Sequence, residues 1–426
     1  MTDAPDAPEA AGVDATEPEE TLPPLRLRDP LPPVVDTPDA LAEVVRAVAA
    51  GTGPVALDAE RASGYRYSAR AYLVQLRREG AGTFLIDPIP FGDLSALDDA
   101  IGDAEWLLHA ASQDLVCLAE LGLRPRALFD TELAGRLLNL PKVGLASLVH
   151  DLLGHTLAKE HSAADWSTRP LPEPWLEYAA LDVEVLVELR DILDERLRAA
   201  GKREWAAEEF EALLSFDGPR RREEPWRRTS GIHKARGRRA LALVRSLWTR
   251  RDEIAERRDT TPGRILPDAA ILEIASTQPA DRSALRSLGA LRNRGPRRFL
   301  DDWWEAVEEG MAVPESDLPR TSQRLDGPPP PRLWADRNPE AAARLTGARE
   351  VVASLAEEHD LPLENVLLPD ALRRLAWEPP AEPDAAAIGA FLTGLGARPW
   401  QVGLVAERLA AAFADARADG DASADD

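Results

Sequence analysis

At 426 residues the chain exceeds what one ordinary hydrophobic core supports, so two or three domains are expected. Hydrophobic residues make up 44% and charged residues 29%, a globular composition, and the single cysteine, Cys117, excludes an internal disulfide framework and a cysteine-based zinc cluster. The net charge of −23 would argue against a polyanion-handling protein if it were evenly spread, but acidic residues crowd Asp3 to Glu20 and Asp415 to Asp426, while Arg and Lys dominate from Pro219 to Arg258.

Residues 1–34 read as a disordered acidic leader that ends in the stretch Asp29-Pro30-Leu31-Pro32-Pro33. Met1 to Thr21 lacks the basic-then-apolar order of a secretory signal, and no stretch reaches the roughly 18 apolar residues that span a bilayer; the expected compartment is the cytoplasm. A domain over 35–215 follows. From Thr37 the spacing of Leu41, Val44, Val45 and Val48 predicts a helix. Pro54 to Glu60, Tyr72 to Leu76 and Thr83 to Asp87 read as three successive strands, a meander. Leu94 to Ile101 is helical, Trp106 to His109 a short strand, and Asp114 to Leu121 the start of another helix. Helices then run to about Ala200 and end in the amphipathic segment Trp175 to Arg198, which makes this an α/β domain with a mixed sheet. Behind it the pattern is helical throughout. A basic linker over 216–233 leads to a helical segment at 234–312, a proline-rich linker at 313–338, a second helical segment at 339–415 that weakly repeats the first, and an acidic tail at 416–426.

The chemistry is carried by carboxylates. Asp58 and Glu60 are two apart on a predicted strand and project from the same face. Tyr178 and Asp182 are four apart on a predicted helix and stack one turn apart. Asp114 begins a helix just after a strand. Four carboxylates and a phenol can therefore converge at one sheet edge, and that inventory suits phosphodiester hydrolysis with two divalent cations about 3.5–4 Å apart. Hard oxygen ligands suit Mg²⁺ or Mn²⁺, not zinc. In this reading Asp58 is shared between the ions, Glu60 and Asp182 complete the one that activates water, Asp114 helps to hold the one at the leaving group, and Tyr178 orients the attacking water.

In order and context these motifs resemble the DEDD exonuclease superfamily and, within it, the ribonuclease D family. The first is Leu57-Asp58-Ala59-Glu60, the second His109-Ala110-Ala111-Ser112-Gln113-Asp114 and the third Tyr178-Ala179-Ala180-Leu181-Asp182. Tyr72-Leu73-Val74-Gln75-Leu76, Asp165-Trp166 and Arg169-Pro170-Leu171 look like the connecting segments of that family. A tyrosine four residues before the last aspartate marks the tyrosine subtype; the histidine subtype has its histidine five before, where this chain has Glu177. The resemblance implies a ribonuclease H-like mixed-sheet exonuclease domain followed by one or two all-α HRDC-type bundles that assist nucleic-acid binding. It also implies two Mg²⁺ or Mn²⁺ ions per site and 3′→5′ hydrolysis of RNA to nucleoside 5′-monophosphates, with tRNA and other structured RNA precursors as the substrate class. The strongly acidic total departs from the family pattern.

Two rivals stand beside this reading. One is a DNA 3′→5′ exonuclease with the same metal site; the other is a nuclease-inactive RNA-binding protein, against which the intact carboxylates and tyrosine argue. Gln75, His109 and Arg169 are expected substrate contacts, each with a plainer alternative: a hydrogen-bonded sheet residue, a support for the sheet end and an exposed loop cation. Lys159 has the same two readings as Arg169. Trp166 and Cys117 read as core, and Trp226 and Trp248 are the tryptophans considered for base stacking.

Overall fold

A computed structural model describes residues 22–158, 161, 163–219, 222–321 and 327–424. Its centre is a six-stranded sheet made of β1 (Val34–Val35), β2 (Thr52–Arg61), β3 (Ala71–Glu79), β4 (Gly82–Ile86), β5 (Trp106–Leu108) and β6 (Leu128–Asp130), in the order β1-β4-β3-β2-β5-β6. β2, β3 and β4 form the antiparallel meander that the alternating residues predict. β1, β5 and β6 add parallel to β4, β2 and β5. The sheet is therefore mixed. β1 and β6 have no counterpart in the sequence reading, because two or three residues are too few to display a period.

Helices cover both faces. α1 (Pro38–Ala50) starts where Thr37 Oγ1 accepts from the Ala40 N–H and Pro38 occupies the first turn. With α2 (Ser95–Ile101) and α3 (Leu115–Glu120) it packs on Val55, Leu57, Ala59, Val74 and Leu76. The opposite face carries α4 (Thr131–Leu137), α5 (Leu145–Leu148), α6 (Glu173–Glu184), α7 (Leu186–Ala199) and α8 (Arg203–Leu214). Ala56, Leu107 and Phe129 meet α4, α7 and α8 there, while Leu73 and Leu85 meet α6. Each fully buried leucine or valine contributes about 1.5–3 kcal/mol, so this alternation fixes which face of β2 is left for polar work.

Two helical units follow. The first comprises α9 (Arg238–Arg257), α10 (Pro262–Ile265), α11 (Asp268–Thr277), α12 (Arg282–Ser287), α13 (Arg294–Arg297) and α14 (Leu300–Ala312). The second comprises α15 (Trp334–Arg337), α16 (Pro339–Glu358), α17 (Leu363–Val366), α18 (Pro369–Trp377), α19 (Ala385–Gly394) and α20 (Pro399–Ala424). Each has a helix of 20 residues, a helix of 4, a Leu-Pro step and a helix of 10 or 9.

Several expected boundaries shift. Residues 1–21 of the expected leader lie outside the described residues, but residues 22–34 are not disordered: the Leu25 N–H donates to the Thr156 carbonyl at 2.8 Å, Arg28 pairs with Glu184 and Glu188, and Leu27 and Leu31 pack beside Trp166. These leucines and the arginine supply partners that outweigh the proline-rich composition. The 216–233 linker is likewise partly core, because Trp226 is buried against α9 and the first helical unit therefore begins at about Pro225. Trp226 is thus not a stacking platform. Trp334, within the expected 313–338 linker, is fully buried in the second unit. The expected acidic tail is drawn into α20 as far as Ala424.

Neither helical unit swings free. The second shares one continuous core with α4, α7 and α8, and Trp205 stacks on Trp400 at 4.9 Å. Buried Lys202 donates its Nζ to the carbonyls of Leu137 and Asp360, joining the two units through backbone. The first unit holds the connection between β2 and β3. Asp259 accepts from the Ser68 N–H at 2.9 Å and from the Tyr72 hydroxyl at 3.2 Å, and the Thr261 N–H donates to the Tyr65 carbonyl at 3.1 Å.

Candidate active site

On β2, Asp58 stands opposite Gln75 of β3 and Glu60 opposite Leu73, which puts both carboxylates on the face covered by α6. Tyr178 and Asp182 descend from α6 to meet them. Carboxylate oxygens of Asp58, Glu60 and Asp182 lie within 4.8 Å of one another. Asp114 arrives from the other side of β2. After β5 the chain enters a left-handed turn at Ala110, φ 58°, and one turn of 3-10 helix then places Asp114 at the start of α3. A non-glycine residue there is strained, by about 1 kcal/mol or more, and persists only when its surroundings hold it. Buried Asp130 does so, accepting from the N–H groups of Ala110 and Ala111 at 3.1 and 2.8 Å while also capping α4.

Asp58, Glu60, Asp114, Tyr178 and Asp182 therefore share one cavity of about 590 Å³ with His109, Gln113 and Arg61 in its wall. Burial pushes Glu60 up to about 10, and the charges of Asp58, Asp182 and Asp114 add to the shift. Burial also raises Asp114 and Asp182, with Asp58 the next cause in both, and Asp58 itself is raised by desolvation against an opposing hydrogen bond from the Ala59 N–H. The Tyr178 hydroxyl, desolvated and facing Asp182, is raised as well. Like charges crowded in this way titrate as one acid cluster with a strong demand for positive charge. An all-oxygen donor set with no His or Cys in the trio fits hard divalent cations.

The three expected substrate contacts fare differently. His109 lines the cavity, with Nδ1 2.9 Å from Thr131 Oγ1; burial lowers it to about 4, so at neutral pH it is an uncharged wall residue bracing the sheet end. Gln75 lies fully buried beside Asp58 and does not line the cavity, so it makes no substrate contact there. Arg169 is engaged within the fold: it holds Asp87 through two bonds of 2.6 and 2.9 Å and donates to the carbonyls of Tyr72, Trp166 and Thr168. Lys159 lies outside the described residues. Trp166 and Cys117 are buried, and burial pushes the Cys117 thiol up to about 12, so it is an inert packing residue.

Arg61 is a site residue that the sequence reading misses. Alternation along β2 sets it apart from Glu60, yet its guanidinium lies 3.7 Å from Asp114 and lines the same cavity. Asp130 is the second omission. Its signal, an aspartate closing a short apolar run before Thr-Glu, is that of a helix cap, and nothing local connects it to Ala110.

Residues 32–198 match a family model described as 3′-5′ exonuclease, 240–307 one described as HRDC domain, and 327–413 one described as 3′ to 5′ exonuclease C-terminal domain. The chain is 35% identical over 338 residues to Ribonuclease D of Gluconacetobacter diazotrophicus, covering 78% of this chain and 82% of that protein. The chain belongs to the ribonuclease D family. Within solved structures it is similar to a protein from Bifidobacterium adolescentis, at 40% identity, 92% and 99% coverage of the two chains and a TM-score of 0.85. It is also similar to Escherichia coli RNase D, described as an exoribonuclease involved in structured RNA processing, at 26% identity, 90% and 98% coverage and a TM-score of 0.66. As a member of the ribonuclease D family the protein is a 3′→5′ exoribonuclease, a hydrolase built on a mixed-sheet exonuclease domain with an HRDC region behind it. The second helical unit, read from sequence as HRDC-like, matches the model described as a C-terminal exonuclease domain.

Proposed function

We propose that this ribonuclease D family enzyme trims the 3′ ends of structured RNA, tRNA precursors among them, through a site of Asp58, Glu60, Asp114, Tyr178 and Asp182 that takes two divalent cations, Mg²⁺ or Mn²⁺. The observation that carries the reading is the convergence of these five side chains in one cavity, with three of them within 4.8 Å of one another. When bound, the cations supply a hydroxide nucleophile near neutral pH and neutralise charge on the leaving oxygen. Asp58, nearest the middle of the cluster, would serve both ions; Glu60 and Asp182 would complete one and Asp114 the other.

The remaining work falls to the chain itself. Tyr178, on the same helical face as Asp182 and hydrogen-bonded to it, would orient the attacking water through its hydroxyl. Asp130, by holding Ala110 and Ala111, positions the segment that delivers Asp114. Arg61, beside Asp114, adds the one side-chain cation in the cavity wall among the described residues and lies where it can meet the scissile phosphate. Unselective trimming from an end requires contacts to backbone and stacked bases and no base code. Among the described residues no helix is long and apolar enough to cross a membrane, and the cytoplasm is the compartment proposed for this reaction.

The test is incubation of 5′-labelled single-stranded RNA and matched DNA with Mg²⁺, Mn²⁺ or EDTA. A ladder shortening from the 3′ end, abolished by EDTA and faster on RNA, with nucleoside 5′-monophosphates released, is the expected result. Equal or faster cleavage of DNA would overturn the substrate assignment. EDTA-resistant cleavage would overturn the metal site.

A further inference from the structure

Helices and strands do not build the whole wall of the catalytic cavity. Leu157, Ala158, Ala163 and Ala164 line it from the stretch between α5 and α6, where residues 154–158 and 163–172 run without helix or strand. Loop backbone of this kind keeps its place through the groups it is bonded to. At Thr156 both backbone groups are taken by one segment, residues 22–31. The Thr156 N–H donates to the Pro23 carbonyl at 2.9 Å, and the Thr156 carbonyl accepts from the Leu25 N–H at 2.8 Å, so that Pro24 and Thr156 pair as a single parallel bridge. Leu157 of the cavity wall is the next residue.

The same segment reaches the opposite side of the cavity. Leu25 packs on the core cluster that takes in Leu145 and Leu157, whereas Leu27 and Leu31 pack on the cluster of Trp166, Ala164 and Tyr178. Arg28 then pairs with Glu188 of α7 at 2.7 Å and with buried Glu184 at 3.4 Å, at the end of α6 and two residues beyond Asp182. Arg77 of β3 takes the other oxygen of Glu184 at 3.2 Å. None of these described residues of the segment lines the cavity itself. It lies behind the wall and joins the loop at Thr156 to the helix that carries Tyr178 and Asp182.

We propose that residues 22–31 are a strap that positions Leu157 and Ala158 as a preformed wall of the catalytic cavity, Leu25 acting through Thr156. The proposal rests on the exoribonuclease reading and adds what keeps the cavity in the shape that receives a 3′ end. With the strap seated, the wall is ordered before RNA arrives; with it released, the cost of ordering the wall falls on substrate binding. The carboxylates and Tyr178 stand on β2, at the start of α3 and on α6, so release weakens binding of the end and leaves the chemical step intact.

Two sets of substitutions in the full chain test this. Pro24→Cys/Thr156→Cys should form a disulfide on oxidation, because the two residues are paired and the native Cys117 is buried. Leu25→Ala/Leu27→Ala trims two half-buried anchors and releases the strap. In that variant KM should rise about 3- to 10-fold, for a short oligoribonucleotide and a long 5′-labelled RNA alike, with kcat and the cation-induced rise in melting temperature unchanged. Adding the two cysteines to this variant should restore KM when oxidised and lose the gain again in dithiothreitol, a reversal that a general loss of stability would not show. Failure of the disulfide to form in the otherwise unaltered strap, an unchanged KM in Leu25→Ala/Leu27→Ala, or oxidation that leaves KM raised would overturn the strap. A loss confined to the long RNA would overturn it too, since the wall meets the end whatever the length behind it. If the unaltered protein hydrolyses no RNA in Mg²⁺ or Mn²⁺, the catalytic reading fails, while disulfide formation and the anisotropy of labelled RNA in EDTA, read on the same variants, still decide the strap.

Discussion

Replacing Asp58 by Asn separates the demands of catalysis from those of folding. After burial, its carboxylate is the largest influence raising Glu60, Asp114 and Asp182 alike. Its oxygens lie within 4.8 Å of those of Glu60 and Asp182, and two full charges at that separation repel by roughly 3.5 kcal/mol at an effective dielectric near 20. Protons taken up by the partners keep the real repulsion below that figure, so neutralising Asp58 should relieve about 1–2 kcal/mol in the metal-free protein. For a domain of this size that is a melting temperature higher by roughly 2–8 °C in EDTA. The same change removes the donor shared by both cations, and kcat on labelled single-stranded RNA should fall at least about 10³-fold, equivalent to about 4 kcal/mol of barrier. Isosteric Asn leaves packing intact, so the two effects are read on one preparation by thermal melts and a time course. Full activity in this variant, or a metal-free melting temperature lowered by several degrees, would show that Asp58 is a structural carboxylate and not the centre of the site.

Tyr178→Phe should lower kcat about 10- to 100-fold, with the cation-induced rise in melting temperature unchanged, since the ring stays and only the water-orienting hydroxyl goes; an unaltered kcat would remove Tyr178 from the reaction. Glu60 titrates near 10 in the folded chain against an ordinary 4.5, so its contribution to metal-free stability is fully present below about pH 4.5 and is lost as pH rises toward 10. Cations replace those protons and bind more tightly at higher pH. At a hundredfold excess over Kd they should add about 2.7 kcal/mol, roughly 5–10 °C, with a larger rise at pH 8 than at pH 6; a rise independent of pH would separate the metal from this cluster. Arg169→Gln leaves buried Asp87 without its ion pair and should cost about 2–3 kcal/mol, less than a fully buried pair because Arg169 is 34% exposed. Its kcat/KM per folded enzyme should match that of the unaltered protein, and a selective rise in KM would restore Arg169 as a substrate contact.

What was legible in the sequence is bounded by local periods. Asp58 and Glu60 share a face because a strand alternates, and Tyr178 and Asp182 because a helix returns every 3.6 residues. Both pairs sit in the structure as those periods require. Asp114 is different, because its place depends on a left-handed Ala110 held by Asp130, 20 residues further along. A motif can identify Asp114, but only the fold shows what aims it. Arg61 escapes for a like reason: its partner Asp114 lies far along the chain, beyond the reach of any local period.

Charge is the property that sequence counting renders worst, since the fold decides which cations remain available. Arg169 looks like a loop cation until Asp87, 82 residues earlier, is placed against it. Arg250 and Arg251 look like members of a basic face until α14 and Asp268 take them up. Phe299, an apolar residue with no place in any tally of charge, is what arranges Arg258 and Arg298. Ion pairing costs a guanidinium its freedom to bind phosphate, whereas stacking on a ring leaves its N–H groups free to do so. The net charge of −23 therefore does not count the cations left for a polyanion, because pairing and stacking divide the arginines between holding helices together and facing solvent.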